Sequence, residues 1–204
     1  MTRRRGIAGL MAVGALALAP GARAAADDMS LGAPAAPVTV IEYASLGCPH
    51  CGVWSREVFP PFKRRYIDTG KVRFVLKEML FGDPDLAAAG FLTARCAGKA
   101  KYFQVVEGLF AAQSQIAKDG NDLPSLLAVA GAAGLGRAQV SACLEDRAAL
   151  SALEARAQAH VHDDHVNGTP TFDIAGKRIE GEASLATLSA AVDAAEASAR
   201  RRRR

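Results

Sequence analysis

Aromatic residues are scarce in this chain of 204 residues, where they make up 6% of the sequence and include one tryptophan. Alanine and glycine are plentiful instead, which predicts an alanine-rich and largely helical body. No low-complexity or charge-only tract interrupts the middle of the chain. A chain of this length and composition suits one packed domain, with room for an insertion.

The sequence also lacks an apolar run long enough to cross a bilayer. The apolar run at residues 7–19 has about 13 residues, whereas a membrane-spanning helix needs about 20. Three arginines precede this run, and Pro20-Gly21 and the small-residue sequence Ala22-Arg23-Ala24 follow it. This order predicts a secretory signal peptide over residues 1–24, cleaved after Ala24 or, as the alternative, after Ala26.

Basic residues are concentrated at the two ends of the chain, and acidic residues outnumber them in between. Four of the 25 basic residues lie in residues 1–24, and five form the terminal run Arg200–Arg204. Residues 25–199 therefore carry 16 basic and 21 acidic residues, a net charge of −5. This balance argues against nucleic-acid binding. We expect the arginine tail to be a solvated helix end, with contact to anionic lipid or an acidic partner as the alternative.

Only four cysteines are present, and two of them form the motif Cys48-Pro49-His50-Cys51. A zinc site needs four ligands, and the remaining cysteines are single and far apart, so structural zinc is not expected. A structural disulfide closing so short a loop would constrain the unfolded chain very little. In an exported protein, however, paired cysteines persist as disulfides, and the even number leaves no thiol over.

The pattern of apolar residues predicts a strand, a helix and a second strand, then a block of helices, and finally a hairpin and a helix. The strands are expected at 37–43 and 71–80, and the hairpin at 171–181, turning near Ala175-Gly176. Ser184 is expected to cap the last helix. The helices are expected at 49–66 with an interruption at Pro60-Pro61, and at 85–97, 100–116, 124–133, 137–145 and 147–164.

The position of Cys48 favours redox chemistry. It follows a strand and Gly47, and Pro49 suits the first position of a helix because proline has no N–H to leave unpaired. A cysteine at a helix N-terminus is stabilised as a thiolate by the free N–H groups and the helix dipole. Cys51 lies one turn further on, within disulfide reach, and His50 can add a donor or positive charge.

The stretches "VIEYASLGCPHC" and "NGTPTF" together resemble the DsbA family of exported thioredoxin-fold thiol:disulfide oxidoreductases. The resemblance covers roughly residues 35 to 195. It implies an α/β, thioredoxin-like fold with an inserted helical domain. The implied divisions are a first thioredoxin-like part at 25–84, a helical insertion at 85–164, a second thioredoxin-like part at 165–199 and a basic tail at 200–204.

The same resemblance implies roles for individual residues. Cys48 would be the exposed, attacking cysteine and Cys51 its buried partner, with Pro49 and His50 tuning how oxidising they are. Thr169-Pro170 would be the family's cis-proline dipeptide, whereas alone it would be read as an ordinary trans turn. Glu42 would be a buried acid relaying protons to Cys51, with Lys77 as its counter-charge. The alternative for both is a strand charge that reaches solvent.

Two further groups of residues invite interpretation. Cys96 and Cys143 are expected to form a structural disulfide, as in some bacterial members of the family, with two reduced, buried cysteines as the alternative. His160, His162 and His165 suggest a metal site, but only the last two are close neighbours on a helix. We therefore expect these histidines at a surface helix end, and we expect no bound metal or cofactor.

The leading hypothesis is a periplasmic dithiol oxidase that introduces disulfides into reduced or unfolded exported proteins through Cys48 and Cys51. A membrane partner of the DsbB type would reoxidise it. About a dozen residues separate the predicted signal peptide from the first strand, where isomerases of this superfamily carry a dimerisation segment, so we expect a monomer. The alternatives are a disulfide isomerase or reductase and a non-enzymatic thiolate carrier of Cu(I) or zinc.

Overall fold

The computed structural model describes residues 28–202. The predicted signal peptide at residues 1–24 lies outside them, as do the last two arginines of the tail. Five strands form one mixed sheet. They are β1 (Met29–Leu31), β2 (Val38–Ala44), β3 (Val72–Glu78), β4 (Thr171–Ile174) and β5 (Lys177–Glu180). Their order across the sheet is β1-β3-β2-β4-β5, with β2 and β3 parallel and every other pair antiparallel.

The connection from β2 to β3 is helical, as the parallel pairing requires. It consists of α1 (Pro49–Glu57), α2 (Phe59–Phe62) and a π-helical turn (Lys63–Ile67). The predicted interruption of a single long helix is confirmed, because α1 ends at Glu57 and α2 begins at Phe59, with the proline pair in its first turn. Proline is tolerated in a first helical turn, where its missing N–H costs no hydrogen bond.

Five helices lie between β3 and β4, each within three residues of its predicted bounds. Asp83 caps the first of them by accepting a hydrogen bond from the Leu86 N–H. The helices are α3 (Pro84–Cys96), α4 (Tyr102–Asp119), α5 (Leu123–Ala132), α6 (Arg137–Glu145) and α7 (Arg147–His162).

The first strand was not predicted. Residues 29–31, which precede the first expected strand, form β1 and pair antiparallel with β3, with Met29 opposite Leu76. A strand of three residues is too short to show the alternation on which strand prediction depends. Pairing with β3 completes that edge of the sheet.

The two faces of β2 belong to different apolar clusters. Val40 and Ala44 point to the larger core, which also contains Trp54 of α1. Ile41 and Tyr43 point to a smaller cluster on the opposite face. Because side chains alternate along a strand, Glu42 lies on the same face as Val40 and Ala44, beneath α1.

Two features tie four of the five helices to the sheet or to one another. Glu78, at the end of β3, is 2% exposed and accepts hydrogen bonds from Arg95 of α3, Tyr102 of α4 and Arg156 of α7. A disulfide joins Cys96, at the end of α3, to Cys143 of α6, with their Cα atoms 6.2 Å apart. The two cysteines are 47 positions apart in the sequence, and their predicted pairing is the one that the structure has.

The final helix, α8 (Leu185–Arg202), continues into the arginine run. The predicted cap is confirmed, because Ser184 Oγ accepts a hydrogen bond from the Thr187 N–H at 3.1 Å. Among residues 28–202, no single helix is both long and apolar enough to cross a membrane. The consecutive helices α5 and α6 together are long and apolar enough, but the angle between them is 116°.

Candidate active site

Cys48 is the residue that caps α1. Its backbone is extended, its N–H donates to the Ser45 carbonyl at 3.1 Å, and Pro49 follows as the first helical residue. The Cys48 side chain is 7% exposed and Cys51, one turn along the helix, is fully buried. Both thiols are free. Both cysteines are therefore buried, so Cys48 is not the exposed residue that the resemblance implies; it keeps a small accessible area, whereas Cys51 has none.

The loop before Cys48 is packed too closely to accept a side chain. A Cβ atom at Gly47 would lie 2.0 Å from the Asp83 carbonyl oxygen, and one at Gly82 would lie 2.2 Å from the Gly47 carbonyl oxygen. Gly82 also has a φ of +79°, which favours glycine. Backbone contact between these two loops fixes the approach of the chain to the helix start.

A second loop faces the sulfur from across the sheet. The Cys48 Sγ lies 3.3 Å from the Thr169 carbonyl oxygen, to which it donates only when it is protonated, although the two residues are 121 positions apart. The Thr169–Pro170 peptide bond is cis. Pairing of β2 with β4 brings this loop to the end of β2, with Tyr43 opposite Thr171. The two motifs found in the sequence therefore meet at one place.

The two thiols have opposite ionisation behaviour. Hydrogen bonds lower the pKa of Cys48 to about 5, the largest effect coming from the Cys51 thiol, with smaller ones from the Thr169 side chain and the backbone of His50 and Cys51. Burial, the hydrogen bond to Cys48 and the nearby Glu42 carboxyl raise the pKa of Cys51 far above its ordinary value. At neutral pH the outer sulfur is a thiolate and the inner one keeps its proton.

The His50 side chain is exposed and binds an acid that the sequence does not single out. Its Nδ1 hydrogen-bonds Glu182 Oε1, in the loop between β5 and α8, and this contact raises the pKa of His50. The same loop lies over α1, because the Trp54 indole N–H donates to the Ala183 carbonyl at 3.1 Å. His50 thus acts on Cys48 through its backbone N–H and, at longer range, through its charge.

Comparison with known proteins agrees with this geometry. A family model described as Thioredoxin (Thioredoxin_4) matches residues 24–194. The chain belongs to this thioredoxin family. Two relatives bear the name "Putative protein-disulfide oxidoreductase". The Rickettsia conorii protein is 32% identical over 170 residues, which cover 83% of this chain and 60% of the relative. The Rickettsia bellii protein is 31% identical over 170 residues, which cover 83% of this chain and 64% of the relative. The chain therefore spans less than two thirds of the length of these relatives.

Solved structures confirm the fold expected of the thioredoxin family. The crystal structure of alpha-DsbA1 from Wolbachia pipientis superposes with a TM-score of 0.78 at 24% identity, covering 89% of this chain and 96% of the other. A protein-disulfide isomerase from Novosphingobium aromaticivorans superposes with a TM-score of 0.70 at 21% identity, covering 83% and 97%. The predicted thioredoxin-like α/β fold and the resemblance to DsbA proteins in that fold are both confirmed.

Glu42 lies on the β2 face that packs beneath α1, together with Val40 and Ala44. It is 3% exposed, and burial together with the neighbouring Cys48 raises its pKa well above the ordinary value. Within the described part of the chain, its Oε1 atom has no hydrogen-bond partner. A carboxyl in these surroundings holds its proton, which makes it a proton donor or acceptor for a neighbouring buried group.

The prediction that Lys77 is the counter-charge of Glu42 is wrong. In the parallel pairing Glu42 lies opposite Leu76, and Lys77 lies opposite Tyr43, so the lysine is on the other face of the sheet. There its Nζ binds Asp164 Oδ2 at 2.6 Å. The two residues lie on neighbouring strands, but the register of those strands places their side chains on opposite faces.

The prediction of a surface position is also wrong for His160. This side chain is 6% exposed, lies edge-on to the Tyr43 ring and places its Nδ1 3.1 Å from Asp164. Asp164 thereby contacts both His160 and Lys77, at the start of the loop that carries Thr169. His162 and His165 are exposed, and within residues 28–202 no group of three or more His, Cys, Asp or Glu residues could hold a metal ion.

The helical block contributes one more residue to the site. The Gln113 side chain of α4 donates to the carbonyl oxygens of Leu46 and Cys48, at 2.7 and 3.2 Å. Its position in a long helix gives no sequence signal for this role, because the contact depends on how α4 packs on α1. Glu182 was missed for the same reason, since it lies 132 positions from His50.

Proposed function

We propose that this protein is a thiol:disulfide oxidoreductase that acts as a dithiol oxidase on reduced proteins. The observation that carries the proposal is the contrast between the two cysteines. A depressed pKa makes Cys48 a good leaving group, and it stabilises the reduced form relative to the disulfide. A pair tuned in this direction gives up its disulfide readily.

The reaction is a pair of exchange steps. A substrate thiolate attacks Cys48 Sγ of the Cys48–Cys51 disulfide, the sulfur–sulfur bond breaks, and Cys51 leaves and takes up a proton. A second substrate thiolate then attacks the substrate sulfur of the mixed disulfide, and Cys48 leaves as a thiolate. The substrate loses two electrons and two protons, and the cysteine pair gains the electrons.

Neighbouring residues are assigned supporting roles in this reaction. Glu42 exchanges the proton that Cys51 gains and loses, because it is buried beside the pair and its own pKa is raised. The exposed loop before Pro170 lies against the outer sulfur, and Thr169 would pair with an extended substrate segment there. Pro49 fixes the start of α1, and His50 supplies an N–H toward the thiolate.

The setting of the reaction is part of the proposal. The predicted signal peptide at residues 1–24 would export the chain to the periplasm, where disulfides persist. Its substrates would be newly exported, reduced proteins, and a membrane protein of the DsbB type would restore its disulfide. We propose that it works as a monomer. The disulfide between Cys96 and Cys143 would be structural and would take no part in the exchange.

Two parallel assays test the proposal. The oxidised protein is mixed with reduced ribonuclease, and the reduced protein with scrambled ribonuclease, and recovery of ribonuclease activity is followed in each. We expect recovery mainly in the first assay, and loss of it in a Cys48→Ser variant. Activity on the scrambled substrate alone would assign an isomerase instead. If neither substrate responds and the reduced protein binds Cu(I) stoichiometrically, it is a metal carrier.

A further inference from the structure

A groove opens beside Cys48 on the side of the helical block. Its volume is about 600 Å³, and it is lined by Gly47 and Pro49, the two sequence neighbours of the outer cysteine. The apolar part of its wall comes from Val53 of α1, Leu86 of α3 and Ile116 of α4. The groove therefore borders Cys48 through its two sequence neighbours, and a chain bound at the sulfur would lie beside it.

The charges around the groove have a clear imbalance. Three carboxylates line it, from Asp83, Asp85 and Asp122, against the single cation Arg56 among its described lining residues. The Arg56 Nη1 is already bound to the Phe110 carbonyl oxygen at 2.8 Å. The Asp83 side chain caps α3, whereas Asp85 is exposed in the first turn of that helix. The remaining negative charge is at the rim, above apolar walls.

We propose that this groove binds the segment next to the reactive cysteine of a substrate and favours segments that carry lysine or arginine. The inference rests on the proposed thiol exchange at Cys48. Lysine and arginine have aliphatic stems and charged ends, so a stem can lie along Val53 and Leu86 while its charge meets Asp85 and Asp122. An acidic segment would meet like charges at the same rim.

The test uses reduced dithiol peptides that differ only beside the first cysteine. One set carries two lysines, two glycines or two glutamates before that cysteine, and a second set carries them after it. The oxidised protein is mixed with each peptide, and its reduction is followed by the fluorescence of Trp54, the sole tryptophan. In one of the two sets we expect the lysine peptide to react about 3- to 10-fold faster than the glutamate peptide at low salt.

Three variants identify the groove as the cause. The double variant Asp85→Asn with Asp122→Asn should reduce the preference to less than 2-fold, and high salt should weaken it in the unaltered protein. A matched control, Asp68→Asn with Glu145→Gln, removes two exposed carboxylates outside the groove lining and should leave it unchanged. Ala117→Phe narrows the groove and should slow the lysine and glycine peptides without slowing dithiothreitol.

The outcomes separate this inference from the proposed function. If every peptide is oxidised at one rate whatever its charge, or if the preference survives in the double variant, the groove does not select substrates. If no peptide is oxidised although dithiothreitol reduces the pair, oxidation of peptide and protein dithiols, and with it the proposed function, is refuted.

Discussion

Ionisation of Cys48 should make the stability of the reduced protein depend on pH in a way that the oxidised protein does not share. The pKa of Cys48 is about 5 in the fold, against an ordinary value of 9.0. At pH 7 such a thiol is about 99% ionised, whereas an ordinary one is about 1% ionised. That difference corresponds to about 3 kcal/mol of stability, and solvent at the mouth of the site should reduce it to about 1–2 kcal/mol.

The direction of the effect follows from the lowered pKa. The stabilisation is fully present above the pKa of the unfolded thiol, near 9, and it is lost as the pH falls through 5. The measurement is urea unfolding of the reduced and oxidised proteins from pH 4 to 9, with the difference plotted against pH. A Cys48→Ser variant has no Cys48 thiol to ionise and cannot form the disulfide, so its own unfolding should follow the pH dependence of the oxidised protein rather than that of the reduced one. A flat difference in the unaltered protein, or thiolate absorbance at 240 nm that rises only above pH 8, would refute the reasoning.

Four further perturbations have defined outcomes. Glu182→Gln removes the carboxylate that raises the pKa of the neighbouring imidazole, so a histidine NMR titration should show a lower pKa there, and an unchanged one would refute the contact. Glu42→Gln should slow turnover while leaving the absorbance-detected pKa of the outer thiol near or below 5; equal turnover would exclude a proton-transfer role. Replacing Cys96 and Cys143 together by serine should cost up to about 4 kcal/mol in urea unfolding and leave thiol exchange intact. Gly47→Ala places a Cβ atom 2.0 Å from a backbone oxygen, so crystallography or NMR should show a displaced loop and kinetics should show slower thiol exchange. If the loop keeps its position and the exchange keeps its rate, the close packing is refuted.

Features encoded within a short stretch of sequence were predicted well. The start of α1 could be identified because Pro49 marks a first helical turn, and the hairpin because Ala175-Gly176 separates two β-rich runs. Ser184 gave a cap signal of the same local kind. Such features need only the propensities of adjacent residues, which explains why their bounds were close to those observed.

Features that depend on pairing between distant segments were not accessible in the same way. The separation of Glu42 from Lys77 follows from a strand register, and one residue of slippage would have placed them on the same face. The burial of His160 depends on how the end of α7 packs against Tyr43. Gln113 reaches Cys48 only because α4 lies on α1. Each of these facts is a property of tertiary packing.

The assembly of the site from two distant loops has a consequence for the biogenesis of the protein. The first 168 residues already contain all four cysteines, yet the Thr169 carbonyl reaches Cys48 only after four residue pairs between β2 and β4 have formed. A chain emerging from its N-terminus therefore exposes both thiols before the loop that covers them exists. Until that strand pairs, the Thr169 carbonyl does not cover Cys48, and both thiols of the pair can form disulfides with other cysteines, including Cys96.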